Sequence, residues 1–486
     1  MAAKVFRNGT IISFNEASSS ISILRESHLL IEGDTITAIG KDVRVPEHAE
    51  VIDATDMILS PGFIDTHTHL WQTAFRTLAP NTTLAEYFGS IIELASHQII
   101  ANSSIGFSQF SPATKSFSSD VVYTSTLAGL YEALNGGTTS LLEHAHNSWS
   151  LAAVTRGYDA GVQSGARLWW CVAADDRDEI TGDEMLEGLA KHRQVKDDDG
   201  LVELGLAWDA MGSASAEQVE HKKHQIIKLN LRALTHHQLG GPWPLGDNAP
   251  TKAAVNDLQS LNLPLVFSHA GFATSADIAA LREHDWYLSI TPESEMHFGH
   301  GQRTSRLVQD HASLGVDTNF TFSGDLLTQA RIWLQSCRGV AYNEALKTAR
   351  VPRRNPMAVE EAFLMATRQG ARALRRDDLG VLKVGAKADV VCFDGTAPNM
   401  AGWVDPVAAV ILHANVGDIR HVLVGGKWRK RDGELVMKED DWGSFQKRFA
   451  DMARKIQREN KDPQALGEKF MGMNEWADVE VMTTRR

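Results

Sequence analysis

Two histidines spaced two residues apart, His67 and His69, are the strongest chemical signal in the sequence. They end an apolar segment, residues 59–69, which we interpret as a buried strand. Positions i and i+2 of a strand point to the same side, so both imidazoles can reach one point. Imidazole nitrogens are common ligands of zinc and iron, and the pair therefore predicts part of a metal site.

The elements that must position this pair are short apolar runs alternating with helical patterns. The runs cover residues 59–69, 138–144, 167–173, 202–208, 231–237, 263–269, 286–292 and 312–317. Helical periodicity is seen between them, for example over 120–135, 216–229, 252–260 and 274–283. Continuous apolar strands are typical of burial on both faces. Eight of them alternating with helices predict an α/β fold, a (β/α)₈ TIM barrel that keeps its chemistry at the carboxyl ends of the strands.

Strand-and-turn patterns precede and follow the barrel. We predict a small composite β-sandwich domain formed by residues 1–58 and 376–438, around a barrel over 59–375. A helical tail should occupy 439–486, where Trp442, Phe445, Phe449, Met452 and Ile456 recur at three- and four-residue spacing. The long insertion 81–119, with a helix at about 84–101, is expected to be functional, as long loops at a barrel mouth often are lids.

Composition excludes several classes of protein. The 486 residues are 43% hydrophobic and 22% charged, which is typical of a packed globular protein. A net charge of −13 gives no excess of basic residues of the kind that nucleic-acid-binding proteins have. The three cysteines, Cys171, Cys337 and Cys392, are far apart and predict neither a disulfide framework nor a thiolate site. With no apolar span and no secretory leader expected, we predict a cytoplasmic protein that does not bind membranes.

Several motifs resemble the amidohydrolase superfamily. PGFIDTHTH (61–69) is similar to its first metal motif and GGTTSLLEH (136–144) to its second barrel strand. GVLKVGAKADVVCFD (380–394) and HVLVGGKW (421–428) resemble its return into the small β domain. HTHLWQTAFR (67–76) and PESEMHFGHG (292–301) resemble the branch of cytosine, guanine and S-adenosylhomocysteine deaminases and triazine hydrolases.

The resemblance implies the remaining ligands. A fifth-strand histidine, His237 or the adjacent His236, should join His67 and His69, and we favour His237. Asp317 after the eighth strand is the expected last ligand, while Asp325 is expected to cap the following helix. The set suits one divalent metal ion, Zn²⁺ in preference to Fe²⁺. The fourth strand, VELGLAW, lacks the lysine of binuclear members, which favours a mononuclear site.

Catalytic roles also follow from the resemblance. Asp317 is expected to take and return a proton, and His269, which ends the sixth strand, to bind the attacking water or the substrate. The deaminase branch has a glutamate three residues after the fifth-strand histidine, but this chain has Gly240 there. Glu293 or His236 is a candidate replacement.

Further residues are candidates for contact with a small-molecule substrate. They are Trp71, Gln72, Arg76, His144, His236, Trp243 and His297, with His146 and His300 as additional residues of the mouth. A mouth rich in tryptophan predicts an aromatic or heterocyclic substrate.

Three functions remain open at this point. The first is a deaminase-like hydrolase of non-peptide C–N bonds that uses a metal-activated water. The second is a metal-dependent lyase that cleaves a C–C bond of a carbonyl compound, which the missing glutamate keeps open. The third is a scaffold that has lost its chemistry. The resemblance and the apolar tail helix also lead us to expect a homodimer.

Overall fold

The computed structural model describes residues 3–90, 117–176, 180–196, 200–243, 248–438, 441–459, 468–470 and 474–479. Its strands are β1 (Lys4–Asn15), β2 (Ser20–Glu32), β3 (Thr35–Gly40), β4 (Glu50–Asp53), β5 (Met57–Pro61), β6 (Phe63–Thr68), β7 (Thr138–Ala145), β8 (Arg167–Ala173), β9 (Val202–Ala207), β10 (Leu234–Gln238), β11 (Leu265–His269), β12 (Tyr287–Ile290), β13 (Ala312–Leu314), β14 (Val390–Asp394), β15 (Ile419–Val424), β16 (Lys427–Arg431) and β17 (Glu434–Leu435). Its α-helices are α1 (Leu84–Ser90), α2 (Ser119–Asn135), α3 (Leu151–Ser164), α4 (Gly182–Lys196), α5 (Ala216–Lys228), α6 (Ala253–Asn256), α7 (Ser275–His284), α8 (Pro292–Phe298), α9 (Leu326–Lys347), α10 (Val359–Ala366), α11 (Arg368–Ala373), α12 (Pro406–Ala408) and α13 (Trp442–Glu459).

Strands β6 to β13 form one eight-stranded sheet in chain order, with parallel neighbours throughout. The first and last strands meet through a parallel bridge between Thr68 and Asp317. There the amide of His69 donates to the Asp317 carbonyl, and the amide of Asp317 donates to the His67 carbonyl, both at 2.8 Å. The predicted barrel is therefore confirmed, and its seam lies at residues predicted to bind metal.

A second sheet combines strands from both chain ends, in the order β17-β16-β15-β14-β5-β1-β2-β3 with β4 beside β1. This confirms the small β domain of composite origin. Its strand β5 continues into barrel strand β6 across Gly62, where a Cβ atom would lie only 2.0 Å from Oγ1 of Thr139. A buried ion pair also joins the sheets, because Arg167 donates to both carboxylate oxygens of Asp389 at 3.1 Å.

Helix α13 confirms the amphipathic pattern predicted for the tail. Phe445 and Ile456 are buried, and the Phe445 ring meets Tyr131 of α2 edge-on at 5.2 Å. The apolar face thus packs against the same chain, so it no longer supports a dimer. Of the predicted helix at 84–101, residues 84–90 are helical and the rest lies outside the described residues. No helix in the described part of the chain is long and apolar enough to cross a membrane.

Candidate metal centre

Four predicted ligands meet at the carboxyl end of the barrel. His67 and His69 come from the end of β6, His237 from β10, and Asp317 from the turn after β13. Nε2 of His67 lies 3.5 Å and Nε2 of His69 lies 3.2 Å from Oδ1 of Asp317. Nε2 of His237 is 3.2 Å from Nε2 of His69. Three imidazole nitrogens and one carboxylate oxygen therefore surround a common point.

The outward-facing nitrogen of each ring already has a partner. Nδ1 of His69 donates to the carbonyl of His144 at 2.9 Å, and Nδ1 of His237 donates to the Asp209 carboxylate at 3.1 Å. Nδ1 of His67 lies 2.8 Å from the Ser268 hydroxyl. Partners of this kind orient metal-binding histidines in proteins and set their tautomers.

These hydrogen bonds determine whether each imidazole directs a proton or a lone pair towards the centre. A carbonyl and a carboxylate can only accept, so His69 and His237 carry their protons on Nδ1 and present lone pairs on Nε2. Two lone pairs 3.2 Å apart cannot hydrogen-bond to each other. The buried Nε2 of His67 has no hydrogen-bond partner. A divalent cation could be bound by the lone pairs of all three nitrogens, so the donor set fits a metal ion.

Burial tunes the ligands for this task. It lowers the pKa of His67 well below its ordinary value and that of His237 to about 3, so both rings are neutral, as metal ligands must be. Oδ2 of Asp317 accepts a hydrogen bond from Ser294. The backbone of Asp317 has a φ of 68°, which turns its side chain back towards β6.

Asp209, directly after β9, is a residue that our sequence interpretation missed. Its carboxylate accepts from the amide of His237 at 2.8 Å as well as from its Nδ1, and it lies 3.2 Å from Nε2 of His144. Burial opposes its ionisation, but the two histidines hold the pKa of Asp209 well below its ordinary value. The sequence did contain a signal for Asp209, because a carboxylate follows the fourth strand. Our interpretation of that strand considered only whether it carries a lysine.

Comparison with known proteins agrees with this geometry. The model of the amidohydrolase family matches residues 58–429. The chain belongs to the amidohydrolase family. The family predicted from the sequence motifs is thereby confirmed, and this amidohydrolase is a metal-dependent hydrolase.

The relatives of this amidohydrolase include several deaminases. It is 23% identical over 471 residues to a 5-methylthioadenosine/S-adenosylhomocysteine deaminase of Syntrophus aciditrophicus, an alignment that covers 93% of this chain and 97% of that protein. It is 24% identical over 438 residues to a 5'-deoxyadenosine deaminase of Methanothermobacter thermautotrophicus, covering 86% and 92% of the two chains.

Solved structures show the same fold. A zinc-bound adenosine deaminase of Xanthomonas campestris has a TM-score of 0.74 at 19% identity, covering 94% of this chain and 99% of that one. Atrazine chlorohydrolase of Arthrobacter aurescens, complexed with zinc, has a TM-score of 0.72 at 20% identity and covers 92% and 99%. The relatives named here are deaminases and hydrolases, and they give no support to the lyase alternative.

A pocket opens beside the amidohydrolase centre. Its walls include the apolar side chains Leu84, Tyr87, Leu239 and Phe298 and the polar side chains His146, His300 and Thr318. His146 stacks on the ligand His69 at 4.1 Å between ring centroids. Trp71 lies behind it and donates its indole N–H to Nδ1 of His146 at 2.8 Å. Trp71 therefore acts on the pocket through His146 and does not itself line it.

His269 lies at the end of β11 and lines the same pocket. The backbone of His269 and of Ala270 has positive φ, 75° and 50°, which ends the strand in a sharp bend. Nδ1 of His269 is 2.9 Å from the Thr291 hydroxyl and 3.6 Å from Oε1 of Glu295. The structure thus brings the predicted His269 to the site.

The structure does not bring Glu293 there. Its carboxylate accepts from the side chain of Gln329 of α9 at 3.1 Å, and it is not among the pocket-lining residues. Glu295, two residues later on α8, is the carboxylate that approaches His269. Our choice of Glu293 is corrected for a geometric reason, since residues two apart on a helix point in different directions.

His236, Arg76 and His297 also lie away from the pocket. Residues His236 and His237 are neighbours on a strand and face opposite sides, so the buried His236 ring packs against Phe267. Arg76 pairs with Glu132 on the outer side of the mouth, and its side chain is 43% exposed. Nε2 of His297 donates to the carbonyl of Ala79. None of these three residues is among the side chains that line the pocket in the described part of the chain.

Three other predicted residues lie behind the pocket wall. Gln72 donates to the hydroxyl of Tyr87, a wall residue. Trp243 donates its indole N–H to the carbonyl of His300 at 2.9 Å. His144 is buried beside Asp209. Asp325 caps helix α9 as predicted, because its carboxylate accepts from the amide of Thr328.

Gly240 has a structural reason to be glycine. Its φ is +70°, a left-handed conformation that costs a side-chain-bearing residue about 1 kcal/mol or more. A Cβ atom here would make only an ordinary contact with Cβ of Phe272, at 3.5 Å, so the backbone conformation and not the lack of space disfavours a side chain. The loop after His237 therefore takes a path for which a glutamate is poorly suited.

Proposed function

We propose that this amidohydrolase hydrolyses a C–N bond of a small, uncharged, aminated heterocycle and releases ammonia or an amine. The main observation behind the proposal is that Nε2 of His67, His69 and His237 and Oδ1 of Asp317 lie close together. The Nδ1 atom of each of these histidines has a polar partner on the opposite side of the ring. That arrangement would hold one divalent cation, and we propose Zn²⁺, with Fe²⁺ as the alternative.

The cation, when bound, would acidify a water molecule and polarise the group that is attacked. Asp317 would take the proton of that water, because its carboxylate adjoins the ligand nitrogens and its second oxygen is held by Ser294. The same carboxylate would deliver the proton to the leaving nitrogen. His269 lines the pocket next to the ligands and would hydrogen-bond the attacking water or the developing oxyanion.

The pocket supports a flat, uncharged ring as the substrate. Leu84, Leu239 and Phe298 offer apolar surface. An indole N–H can only donate, so Nδ1 of His146 accepts from Trp71 and the neutral ring carries its proton on Nε2. Burial lowers the pKa of His146 well below its ordinary value, so the ring stays neutral. His146 would therefore line the substrate site as a neutral ring.

The names of the relatives suggest which heterocycle to test first. Two of them are deaminases of adenine nucleosides, and we propose an amino group on a purine or similar ring as the reacting group. Purified protein should contain about one zinc per chain by mass spectrometry and should release ammonia from a member of a panel of aminopurines, aminopyrimidines and aminotriazines.

The matched control is the His67→Ala variant, which should fold but lose both metal and activity. A folded wild-type protein without metal, or with metal but inert on the whole panel, would contradict the proposed reaction. Product from a β-hydroxy carbonyl compound, in the absence of ammonia release, would instead favour a lyase.

We also propose a cellular compartment and an oligomeric state for this protein. The three cysteines are free and buried, which supports a reducing cytoplasmic setting, and cell fractionation tests it. The proposal of a homodimer rests on family resemblance, and light scattering of the purified protein would test it.

A further inference from the structure

A buried carboxylate adjoins the catalytic pocket without a role in the reaction described so far. Glu295 of α8 is 1% exposed. Its Oε1 accepts from the amide of Thr291 at 3.0 Å, and its Oε2 accepts from the side chain of Gln302 at 3.0 Å. Burying a carboxylate is costly, so its place beside His269 calls for an explanation.

Glu295 reaches His269 through a hydroxyl. Oγ1 of Thr291 lies 2.9 Å from Nδ1 of His269 and 3.5 Å from Oε1 of Glu295. Both carboxylate oxygens of Glu295 act as acceptors, from the Thr291 amide and from Gln302, so Oε1 accepts the single proton of the Thr291 hydroxyl. The hydroxyl oxygen then offers a lone pair to Nδ1 of His269, which must carry the ring proton.

The consequence lies at the other nitrogen of the ring. With Nδ1 protonated, Nε2 of His269 is left with a lone pair, the form that can accept a hydrogen bond from a reacting water. Nδ1 of the neighbour His300 lies 3.4 Å from Nδ1 of His269, a contact that is compatible with either tautomer.

We propose that Glu295 is a positioning residue that acts through Thr291 to fix the tautomer and orientation of His269. The inference rests on the proposed function for the role of His269.

The main test compares two carboxylates on one helix. Glu295→Gln is expected to lower kcat by about 10- to 100-fold, the usual effect of removing an outer partner of a functional histidine, with KM changed less than about threefold. Glu293→Gln is the matched control, because Glu293 bonds to Gln329 and does not line the pocket, and its kcat should stay within about twofold. Zinc content should be equal in both variants.

Thr291 supplies a second pair of variants in case Glu295→Gln folds poorly. Thr291→Val removes the hydroxyl at nearly constant volume and should lower kcat as Glu295→Gln does. Thr291→Ser keeps the hydroxyl and should retain most of the activity. If Thr291→Val keeps wild-type kcat, or if Glu293→Gln loses as much as Glu295→Gln, the positioning role is overturned.

A readout without turnover separates this inference from the proposed function. Histidine-labelled, metal-free protein should give a ¹⁵N spectrum in which Nδ1 of His269 is protonated, with the signal assigned through His269→Gln. That preference should disappear in Glu295→Gln and persist in Glu293→Gln. An unchanged His269 signal in Glu295→Gln refutes the inference, whether or not the wild-type protein deaminates any substrate tested.

Discussion

Removing the negative charge of Asp209 should weaken metal binding although Asp209 is not itself a predicted ligand. Its carboxylate accepts from the amide and from Nδ1 of His237 and lies 3.2 Å from Nε2 of His144. In Asp209→Asn, one acceptor oxygen becomes an NH₂ group, and the charge that makes the His237 ring a better ligand is lost. Such outer partners are typically worth about 10- to 100-fold in metal affinity, which is about 1.4 to 2.7 kcal/mol.

Competition with a zinc chelator measures this directly. The matched control is Asp277→Asn, because Asp277 is also a buried carboxylate, but it bonds to Thr251 and Thr274 at the start of helix α7. That variant should lose about 1 kcal/mol of stability, as capping residues do, and keep wild-type zinc affinity. Wild-type zinc affinity in Asp209→Asn, or the same loss of affinity in Asp277→Asn, would refute the reasoning.

Three further predictions concern the centre and its nearest loop. Asp317→Asn should lower kcat by about 10²- to 10⁴-fold, which is the usual effect of losing a general acid–base group. Its circular dichroism spectrum should be unchanged, and turnover near that of the wild type would remove Asp317 from the mechanism. Because burial lowers the pKa of His67 and His69 below the ordinary value and that of His237 to about 3, protons should compete with the cation only below the ordinary histidine pKa of about 6.5. Metal content after dialysis at about pH 6.5 should therefore match that at about pH 7.5, and loss of most of the metal at about pH 6.5 would contradict this. Gly240→Glu and the control Gly240→Ala should each lose about 1 kcal/mol or more of unfolding free energy in denaturant melts, because both force a side chain onto a φ of +70°; a stability equal to wild type in either variant would show that the loop relaxes freely.

Spacing along the sequence pointed to candidate ligands but could not identify the residues that surround them. His67 and His69 are two apart on one strand, so local geometry brings them together. Glu293 and Glu295 are also two apart, but on a helix of about 3.6 residues per turn they point roughly 200° apart. Which of the two meets His269 depends on how α8 is rotated against β11, and tertiary packing sets that rotation. Arg76 shows the same limit, since the turn after β6 directs it to Glu132 and away from the pocket.

The sequence by itself predicted the barrel, the composite small sheet and the His67–His69 pair, because strand periodicity and strand-end placement are local properties of the chain. The choice of Asp317, and of His237 over its neighbour His236, came from the resemblance to the amidohydrolase family. Only the tertiary structure decided what lies behind them: Asp209 on His237, Trp71 on His146, and Glu295 on His269 through Thr291. Those contacts join residues on different elements, and a hydrogen bond needs atoms about 3 Å apart in the right direction, which no spacing along one chain segment specifies.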